Sequence, residues 1–237
     1  MAVTRPALSR PSPFAVTVDI VLLAVTERLE VMLVRRGVEP FRDLLALPGG
    51  FVQPNESIDD AARRELAEKT GLTPTQLPGV HIEQLGTFGD VDRDPRMRVV
   101  SVAYLALSRF RPIPTAGTDA VEAVWIPVDE ARRGTLAFDH VEILTAGLER
   151  ARSKLEYTTL ATSLVAPTFT LGELRQVYEV VWQESLDIAN FRRKVLATQG
   201  FVVATNEKRI SESGGAPATV YRAGTGKDLL PPIMRVR

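Results

Sequence analysis

The chain contains no cysteine among its 237 residues. Disulfide scaffolds, thiolate metal sites and cysteine nucleophiles are therefore excluded. No apolar run approaches the roughly 20 residues needed to cross a bilayer. Residues 1–14 also lack the apolar segment of a secretory signal. We therefore expect a soluble protein of the cytoplasm that has no membrane partner.

The chain also has no net charge, because 29 basic side chains balance 29 acidic ones. This balance argues against a nucleic-acid partner only if the charge is evenly spread. Residues 1–157 hold 19 Lys and Arg against 22 Asp and Glu, whereas residues 158–237 hold 10 against 7. The asymmetry favours two parts with separate tasks. Hydrophobic residues make up 45% of the chain, which is enough for a packed core.

Strand-like and helix-like segments alternate through the first two-thirds of the chain. β-branched apolar runs predict strands, and apolar residues spaced three and four apart predict helices. The strands are predicted at residues 15–25, 29–35, 80–88, 98–110 and 121–127, and the helices at residues 57–70 and 139–156. We therefore predict an α/β or α+β domain over residues 14–157, behind a flexible N-terminal arm over residues 1–13.

The pattern changes after Tyr157. Leu171, Leu174, Val177 and Val181 fall on one stripe of a helix. A second helix follows from Ile188, and two short strands at residues 201–204 and 219–222 flank a polar, glycine-rich loop. Helix, turn, helix and a two-stranded wing predict a small winged helix-turn-helix domain over residues 158–237.

One group of charged residues surrounds the first predicted helix. Gly50 is followed after five residues by Glu56, and after seven more by the run from Arg64 through Glu65 and Glu68. Glu65 shares one face of this helix with Ile58, Ala61 and Ala62, an apolar stripe in which an unpaired carboxylate is costly. We expect the three glutamates to converge where a hard cation could polarise a phosphate. The alternative is a surface helix with ordinary ion pairs, which the complete spacing disfavours.

This spacing resembles the Nudix box, which implies an α-β-α sandwich built on a mixed sheet. Gly50, Glu56, Arg64, Glu65, Leu66, Glu68, Gly71 and Leu72 match the box. One position departs, because Lys69 stands where the family has a principal ligand of the catalytic magnesium. A lysine cannot ligate a cation. We predict that Lys69 replaces the charge of the metal, so that no cofactor is required, magnesium binds weakly and hydrolysis is inefficient. Residual ADP-ribose pyrophosphatase activity stays open.

The rest of the chain resembles NrtR-type regulators, which are bacterial Nudix-related repressors of NAD metabolism. The matching segments are residues 40–41, 47–52, 84–90, 93–96, 98–104 and 136–140 in the first part and residues 169–179, 186–194 and 217–222 in the second. The resemblance implies a homodimer that binds a palindromic operator on the bacterial nucleoid. It also implies that an NAD-derived nucleotide such as ADP-ribose binds the first domain and releases the DNA.

The second helix of the winged part carries the DNA-binding candidates. Asn190 and Arg193 point away from the predicted apolar face of Ile188, Phe191 and Val195. Asn and Arg suit bidentate contacts with adenine and guanine. The candidates for phosphate contacts are Thr170, Arg192, Lys194, Lys208 and Arg209. A solvated basic face is the alternative, and the order of the elements favours DNA.

The effector candidates lie around the Nudix box. They are Arg36, Phe41, Arg42, Gly49, Gly50, Glu65, Arg93 and Arg96. Arginines can clamp a pyrophosphate, and Phe41 could stack on an adenine or simply pack in its loop. Arg93 and Arg96 belong to a charged turn that we expect to be exposed, either as an effector or dimer contact or as an ordinary turn. His140, like the only other histidine, is expected to be structural.

Two functions remain open at this point. The first is a DNA-binding repressor whose degenerate Nudix-like domain senses a nucleotide, with the helix over residues 139–156 as the lever between the domains. The second is an active Nudix hydrolase whose C-terminal extension serves dimerisation or substrate selection. A bifunctional protein would combine the two. Lys69 favours the repressor over the hydrolase, and the Asn190 and Arg193 face favours DNA binding.

Overall fold

The computed structural model of the chain describes residues 13–72, 79–113, 120–210 and 216–235. Of the predicted arm over residues 1–13, only Pro13 belongs to this part. Within these ranges the first region contains β1 (Ala15–Val25), β2 (Leu29–Arg36), β3 (Leu45–Ala46), β4 (Gly49–Phe51), α1 (Ile58–Thr70), β5 (His81–Phe88), β6 (Val99–Ser108), β7 (Ala120–Pro127), α2 (Val128–Arg133) and α3 (His140–Tyr157).

All predicted strands and helices of this region are present, with ends that differ from the prediction by no more than two residues. Ser57 caps α1 by accepting from the Asp60 amide, and Gly71 ends it in the left-handed conformation. The elements β3, β4 and α2 were not predicted. They are too short for a hydrophobic period to be visible in the sequence.

The strands form one mixed sheet in the order β3-β2-β1-β6-β5, with β4 paired to β1 and β7 paired to β2. The β1 and β6 strands run parallel along ten residue pairs, and the other pairings are antiparallel. This central parallel pair brings the start of β1, the loop before β6 and the short β4 to the same edge of the sheet.

Helices cover both faces of the sheet, which explains the almost continuous apolar run of β1. Successive side chains of a strand point to opposite faces. Val18, Ile20 and Leu22 belong to the cluster that contains the apolar side of α1. Val21, Leu23 and Val25 belong to the cluster that contains α2 and α3. The prediction of an α-β-α sandwich on a mixed sheet is therefore confirmed.

The second region has the elements of a winged helix. They are a short 3-10 helix (Thr159–Ser163), β8 (Thr168–Thr170), α4 (Leu171–Trp182), α5 (Ile188–Ala197), β9 (Val202–Arg209) and β10 (Ala218–Ala223). The strands pair in the order β8-β10-β9. The predicted stripe of α4 is buried, and the Tyr178 ring lies 5.3 Å from that of Phe191 on α5. The predicted winged helix is therefore confirmed.

Two predicted burials are wrong. Ile188 is 66% exposed and Ile58 is 39% exposed, although each was assigned to the apolar face of its helix. Each is the first residue of its helix, so the period of the helix places it correctly but does not show where the buried face begins. Within the described ranges, no helix is long and apolar enough to span a bilayer.

The two regions share one continuous apolar cluster, in which Leu148 and Leu155 of α3 join Val177 and Val181 of α4. The segment after β10 returns to the end of α3. There the Leu229 amide donates to the Tyr157 carbonyl, and Leu229 is buried. We call residues 14–157 the sensor region and residues 158–235 the reader region.

Candidate functional site

A cavity of about 280 Å³ opens at the edge of the sheet where β1 begins. We call it the sensor cleft. Its walls come from β1, the β4 segment, the loop before β6 and the start of α3. The lining residues are Thr17, Asp19, Arg36, Val38, Leu47, Gly49, Gly50, Phe51, Arg93, Asp94, Arg96, Phe138 and His140.

An ion-pair network forms the base of this cleft. The Arg93 guanidinium donates to both oxygens of Asp139, at 2.8 and 2.7 Å, and to Asp19 at 3.4 Å. The Ser101 hydroxyl donates to Asp19 at 2.5 Å. A buried charge is stable only when its partners satisfy it. Arg93 therefore fixes the start of α3, where Asp139 is the N-cap, to the middle of the sheet.

His140 continues this network. Its Nδ1 accepts from the Leu47 amide at 2.8 Å, and its Nε2 lies 3.5 Å from Asp19. Burial lowers the pKa of His140 and outweighs the opposing effect of Asp19. The histidine is neutral at physiological pH, and its contacts agree with the structural role that we expected.

The expectation of an exposed turn is wrong for Arg93 and Asp94, whereas Asp92 and Arg96 are exposed as expected. Arg93 is 8% exposed and Asp94 is also buried. Arg96 donates to both oxygens of Asp94, at 3.0 and 2.7 Å. Burial opposes ionisation of Asp94, but these bonds from Arg96 lower its pKa nevertheless. Arg93 is drawn inward because it pairs with Asp19 and Asp139. Both partners lie far away in the sequence, so the local pattern could not show these pairs.

An aromatic ring with two arginines stands at the mouth of the cleft. The guanidinium of Arg36 lies 4.8 Å from the centre of the Phe138 ring, and that of Arg96 lies 5.8 Å from it. The Phe138 backbone has a φ of 53°, which is rare for a bulky residue. Its surroundings therefore hold the ring in place between the two cations.

Two other effector candidates stand apart from the lining. Phe41 packs edge-on against Phe138, with the ring centres 4.8 Å apart, so it supports the ring that lines the cleft. Arg42 pairs with Glu39 on the surface, at 3.4 Å. Neither residue belongs to the lining of the cleft in the described chain.

Gly49 and Gly50 allow the cleft to form. A Cβ on Gly49 would lie 2.2 Å from the Val18 carbonyl oxygen and 2.6 Å from Asp19. A Cβ on Gly50 would lie 2.2 Å from the Glu65 carboxylate. Real Cβ atoms do not approach other atoms so closely. Gly49 therefore requires glycine because it faces backbone, whereas a side chain on Gly50 would displace the Glu65 carboxylate.

The glutamates of the box gather around an arginine, and not around an open site for a hard cation as we expected. Arg64 donates to both oxygens of Glu56, at 2.7 and 3.0 Å, and to Glu65 at 2.7 Å. Glu68 lies 3.4 Å from the same guanidinium. The bonds from Arg64 lower the pKa of Glu56 to about 2. The carboxylates are therefore oriented by a cation of the chain itself.

Lys69 is buried beside this group and is only 3% exposed. Burial raises the pKa of Glu65, whereas the charges of Arg64 and Lys69 oppose that shift. Across the described residues, no three His, Asp or Glu side chains come together in a way that could hold a metal ion. The donors as arranged do not fit a catalytic magnesium ion, because Arg64 already occupies Glu56 and Glu65.

The DNA-binding candidates lie on the surface of α5 and the wing. Asn190, Arg192 and Arg193 are exposed, and Lys194 is half-buried. The Arg193 guanidinium donates to the Asn190 side-chain oxygen at 2.6 Å, so the two predicted base-reading residues stand side by side. Asp187 caps the helix by accepting from the Asn190 amide at 2.7 Å.

A groove of about 480 Å³ separates α5 from the wing. Arg192 lines it, together with Thr170 and Thr219. The Thr170 hydroxyl accepts from the Glu173 amide in a capping box, so it already serves α4.

The two basic residues of the wing differ. Lys208 is exposed. Arg209 is half-buried and donates to both oxygens of Glu173, at 2.9 and 3.1 Å. Arg209 therefore ties the wing to the start of α4, and its charge is already balanced by Glu173.

The sequence reasoning missed Asp19, Ser101 and Asp139 as residues of the cleft. Asp19 gave a usable signal, because it is the single charged residue within the apolar run of β1. A lone carboxylate in a buried strand predicts a paired partner. The identity of that partner, Arg93, depends on the pairing of β1 with β6, which the sequence does not reveal.

Comparison with known proteins places the two regions in known families. The NUDIX domain family matches residues 13–146, and the NrtR DNA-binding winged helix domain family matches residues 161–223. The ADPR responsive transcriptional repressor NtrR of Acinetobacter baylyi is 35% identical over 215 residues, which cover 90% of this chain and 82% of that protein.

Two solved structures resemble the fold. NrtR of Shewanella oneidensis complexed with a 27mer DNA is 33% identical, has a TM-score of 0.71 and covers 88% of this chain and 93% of its own. The NUDIX domain of the same protein complexed with ADP ribose is 35% identical, has a TM-score of 0.52 and covers 59% of this chain and 90% of its own. The chain therefore belongs to the NrtR family, in which a Nudix domain is joined to a winged-helix DNA-binding domain.

Proposed function

We propose that this protein is a transcriptional repressor that binds operator DNA through α5 and the wing and releases it when ADP-ribose occupies the sensor cleft. The observation that carries the proposal is the exposed pair Asn190 and Arg193 on α5. A helix of a helix-turn-helix unit that presents such side chains suits the major groove. In line with the family, the regulated genes are those of NAD metabolism.

The reader region divides its basic residues by task. Asn190 and Arg193 contact base edges, because their amide and guanidinium groups match adenine and guanine. Arg192, Lys194 and Lys208 neutralise phosphates and fix the register of the protein on the duplex. Thr170 and Arg209 act indirectly through the capping box and Glu173, so we rank them below the others as DNA contacts.

The sensor cleft suits a nucleoside diphosphate. Arg36 and Arg96 line it, with their guanidinium groups 4.8 and 5.8 Å from the centre of the Phe138 ring, which is available for stacking. Gly49 and Gly50 line the cleft, and a side chain on either would collide with Asp19 or Glu65. Arg93 supports the floor, since its donors are taken by Asp19 and Asp139. Three effector candidates support this group from outside the lining. Phe41 packs against Phe138, Arg42 lies on the nearby surface, and Glu65 lies against Gly50.

We further propose that the protein binds ADP-ribose without cleaving it at ordinary Nudix rates. Lys69 supplies a fixed positive charge beside Glu65, at the position where the Nudix box has a metal ligand. Arg64 holds Glu56 and Glu65. A bound magnesium would have to displace these contacts, so we expect binding of the ion to be weak and no cofactor to be required.

The active form is a homodimer on a palindromic operator, because each helix-turn-helix reads one short half-site. We divide the chain at Tyr157 into a sensor domain and a DNA-binding domain, with residues 1–13 as an arm. A repressor of this kind works in the cytoplasm on nucleoid DNA. The helix α3 links the two tasks, because it starts at the cleft with Asp139 and ends where the DNA-binding domain begins.

A gel-shift titration on the promoter next to the gene of this protein tests the proposal. We expect a retarded complex that ADP-ribose dissolves and that NAD and nicotinamide mononucleotide affect less. ADP-ribose can release DNA only if it binds the DNA-incompetent state more tightly. Equal operator affinity with and without saturating ADP-ribose would remove ADP-ribose as the effector. If no specific complex forms, the proposed repressor function is wrong.

A hydrolysis assay addresses the alternative of an active Nudix enzyme. We expect the purified protein to cleave ADP-ribose slowly with magnesium and Lys69→Glu to cleave it faster, because the substitution adds a carboxylate and removes the fixed cation. A wild-type rate typical of the hydrolases would favour the bifunctional protein instead. Lys69→Met separates the loss of the charge from the gain of the ligand.

A further inference from the structure

The last turn of α4 in the reader region is held by side chains of the sensor region. Arg152 on α3 donates to the Val181 carbonyl at 3.3 Å and to the Gln183 side-chain oxygen at 2.6 Å. The Trp182 indole donates back to the Arg152 carbonyl at 3.1 Å. The Gln183 amide group donates to Asp129 on α2 at 2.5 Å. We call Asp129, Arg152, Trp182 and Gln183 the α3–α4 joint.

Electrostatics favours this contact. The last carbonyls of a helix lack intrahelical partners, and the C-terminus carries a partial negative charge. Arg152 places its cation at that end of α4, and its side chain is only 15% exposed. Gln183 and Asp129 are exposed, so the bridge is a surface contact anchored on the part-buried Arg152, which also pairs with Glu149 at 2.7 Å.

The backbone of Gln183 is unusual. It ends α4 in the left-handed conformation, with a φ of 57° and a ψ of 42°. Glycine is the residue that this conformation favours. A glycine could not make the two bonds that the Gln183 side chain makes to Arg152 and Asp129. The glutamine is therefore explained by the bridge rather than by the backbone.

The joint lies on a continuous path between the two candidate sites. The α3 helix has 18 residues and is about 27 Å long. Its first turn carries His140 in the sensor cleft, and Gly147 packs directly on Val21 of the sheet. Beyond the joint, the Tyr178 ring of α4 contacts Phe191 of α5. The contacts from the cleft along α3 and through the joint to α5 are therefore continuous.

We propose that the α3–α4 joint is the regulatory contact that couples occupancy of the sensor cleft to the orientation of α5. The inference rests on the proposed function, because it takes ADP-ribose as the ligand and operator DNA as the readout. Gln183 and Asp129 are positioning residues, since neither contacts the cleft or the DNA face. Without their bridge, each ligand binds as before but the two no longer influence each other.

The coupling factor between the ligands tests the joint. It is the ratio of the operator dissociation constants of the full-length protein with and without saturating ADP-ribose, and such factors are typically about 5–150. We expect Gln183→Gly to lower it to below about twofold, while operator affinity alone and ADP-ribose affinity alone stay near the wild-type values. Thermal stability should not fall, because glycine suits the backbone of this position.

Two substitutions at Asp129 form a matched pair. Asp129→Asn keeps an oxygen that can accept from Gln183, so it should retain the coupling. Asp129→Ala removes the acceptor and should reduce the coupling as Gln183→Gly does. Both substitutions remove the same charge from the first turn of α2, so a difference between them reports on the hydrogen bond. This pair also keeps the proposal testable if Gln183→Gly fails to fold.

A distance measurement tests the joint without ADP-ribose. The chain has no cysteine, so spin labels attach only at Arg63→Cys on the sensor region and Gln199→Cys on the reader region, and an excess of unlabelled protein restricts the measured distances to one chain. Both positions are exposed. We expect a narrow distance distribution that Gln183→Gly and Asp129→Ala broaden and Asp129→Asn leaves narrow.

The two experiments separate the two failures. If wild-type DNA binding ignores ADP-ribose, the effector assignment fails and the distance distributions alone decide on the joint. If the wild type responds and both Gln183→Gly and Asp129→Ala keep the full coupling factor, the joint is not the regulatory contact. Unchanged distance distributions in those variants would lead to the same conclusion.

Discussion

The sensor cleft and the DNA face use arginine in opposite ways. Arg93 in the cleft is buried and gives its donors to Asp19 and Asp139. Arg193 on α5 is exposed, and its guanidinium donates to the neighbouring Asn190. A buried charge must be satisfied inside the protein, whereas an exposed one can exchange water for a ligand. Position therefore decides which arginines build the site and which are available to bind.

Arg93→Met tests the buried side of the comparison and should have the largest effect. It leaves two carboxylates at the base of the cleft without their cation, and we expect the free energy of unfolding to fall by about 3–5 kcal/mol. Chemical denaturation measures this loss. The control is Arg42→Met, which removes an exposed ion pair and should cost at most about 1 kcal/mol. Equal losses in the two variants would show that the network around Arg93 contributes little.

Arg93 also marks the limit of what the sequence predicts. The turn around it is charged and carries a proline, a pattern typical of exposed loops, and the sequence reasoning placed it on the surface. Its partners are 74 and 46 residues away. Local pattern contains no information about such pairs, because they depend on the pairing of β1 with β6 and on the start of α3.

The reader region was predicted more completely because its contacts are local. Its helices follow one another closely, and the spacing of Leu174, Val177 and Val181 places the buried face of α4 correctly. The same reasoning failed for Ile188, and it did not reveal that Arg209 pairs with Glu173, since both depend on where the wing and the preceding turn lie in space. The box glutamates were predicted to converge, and the position of Arg64 between them emerged only from the structure.

Arg193→Ala tests the exposed side of the comparison. If Arg193 contacts a base, its loss should weaken operator binding by about 1–3 kcal/mol and leave binding to random DNA much less affected. The stability of the protein should change by no more than about 0.5 kcal/mol, since the side chain is exposed. Fluorescence anisotropy with both DNAs measures the affinities, and Gln199→Ala on the same region is the control. Equal losses on both DNAs would make Arg193 a phosphate contact.

The wing sharpens the comparison within one region. Lys208→Ala should lower the slope of log affinity against log salt by about one, because a lysine that neutralises a phosphate releases a counterion. Arg209→Ala should lower it less, because Glu173 already balances the Arg209 charge. The measurement is operator affinity over a series of salt concentrations. Equal changes of slope would show that Arg209 leaves Glu173 when DNA binds.

The effect of His140 is the smallest of the four at neutral pH, and its sign follows from the cleft. Burial keeps the pKa of His140 below the ordinary value of about 6.5. Just below that pH the unfolded chain therefore binds a proton at His140 that the folded protein does not bind. The free energy of unfolding should therefore fall as the pH drops below about 6.5 and be unaffected above it. Urea denaturation at several pH values measures this, with His140→Gln as the variant that lacks the titrating group.

His140 also connects this pH dependence to the geometry of the cleft. A protonated ring would turn a donor toward the Leu47 amide, which is itself a donor. Asp19 favours the charged ring but already receives bonds from Arg93 and Ser101, so it offers little compensation. If the wild type and His140→Gln lose stability equally on acidification, the ring is protonated in the folded state and the bond to Leu47 breaks. The difference between the cleft and α5 would then be smaller, because a buried group of the cleft would change its charge as readily as an exposed one.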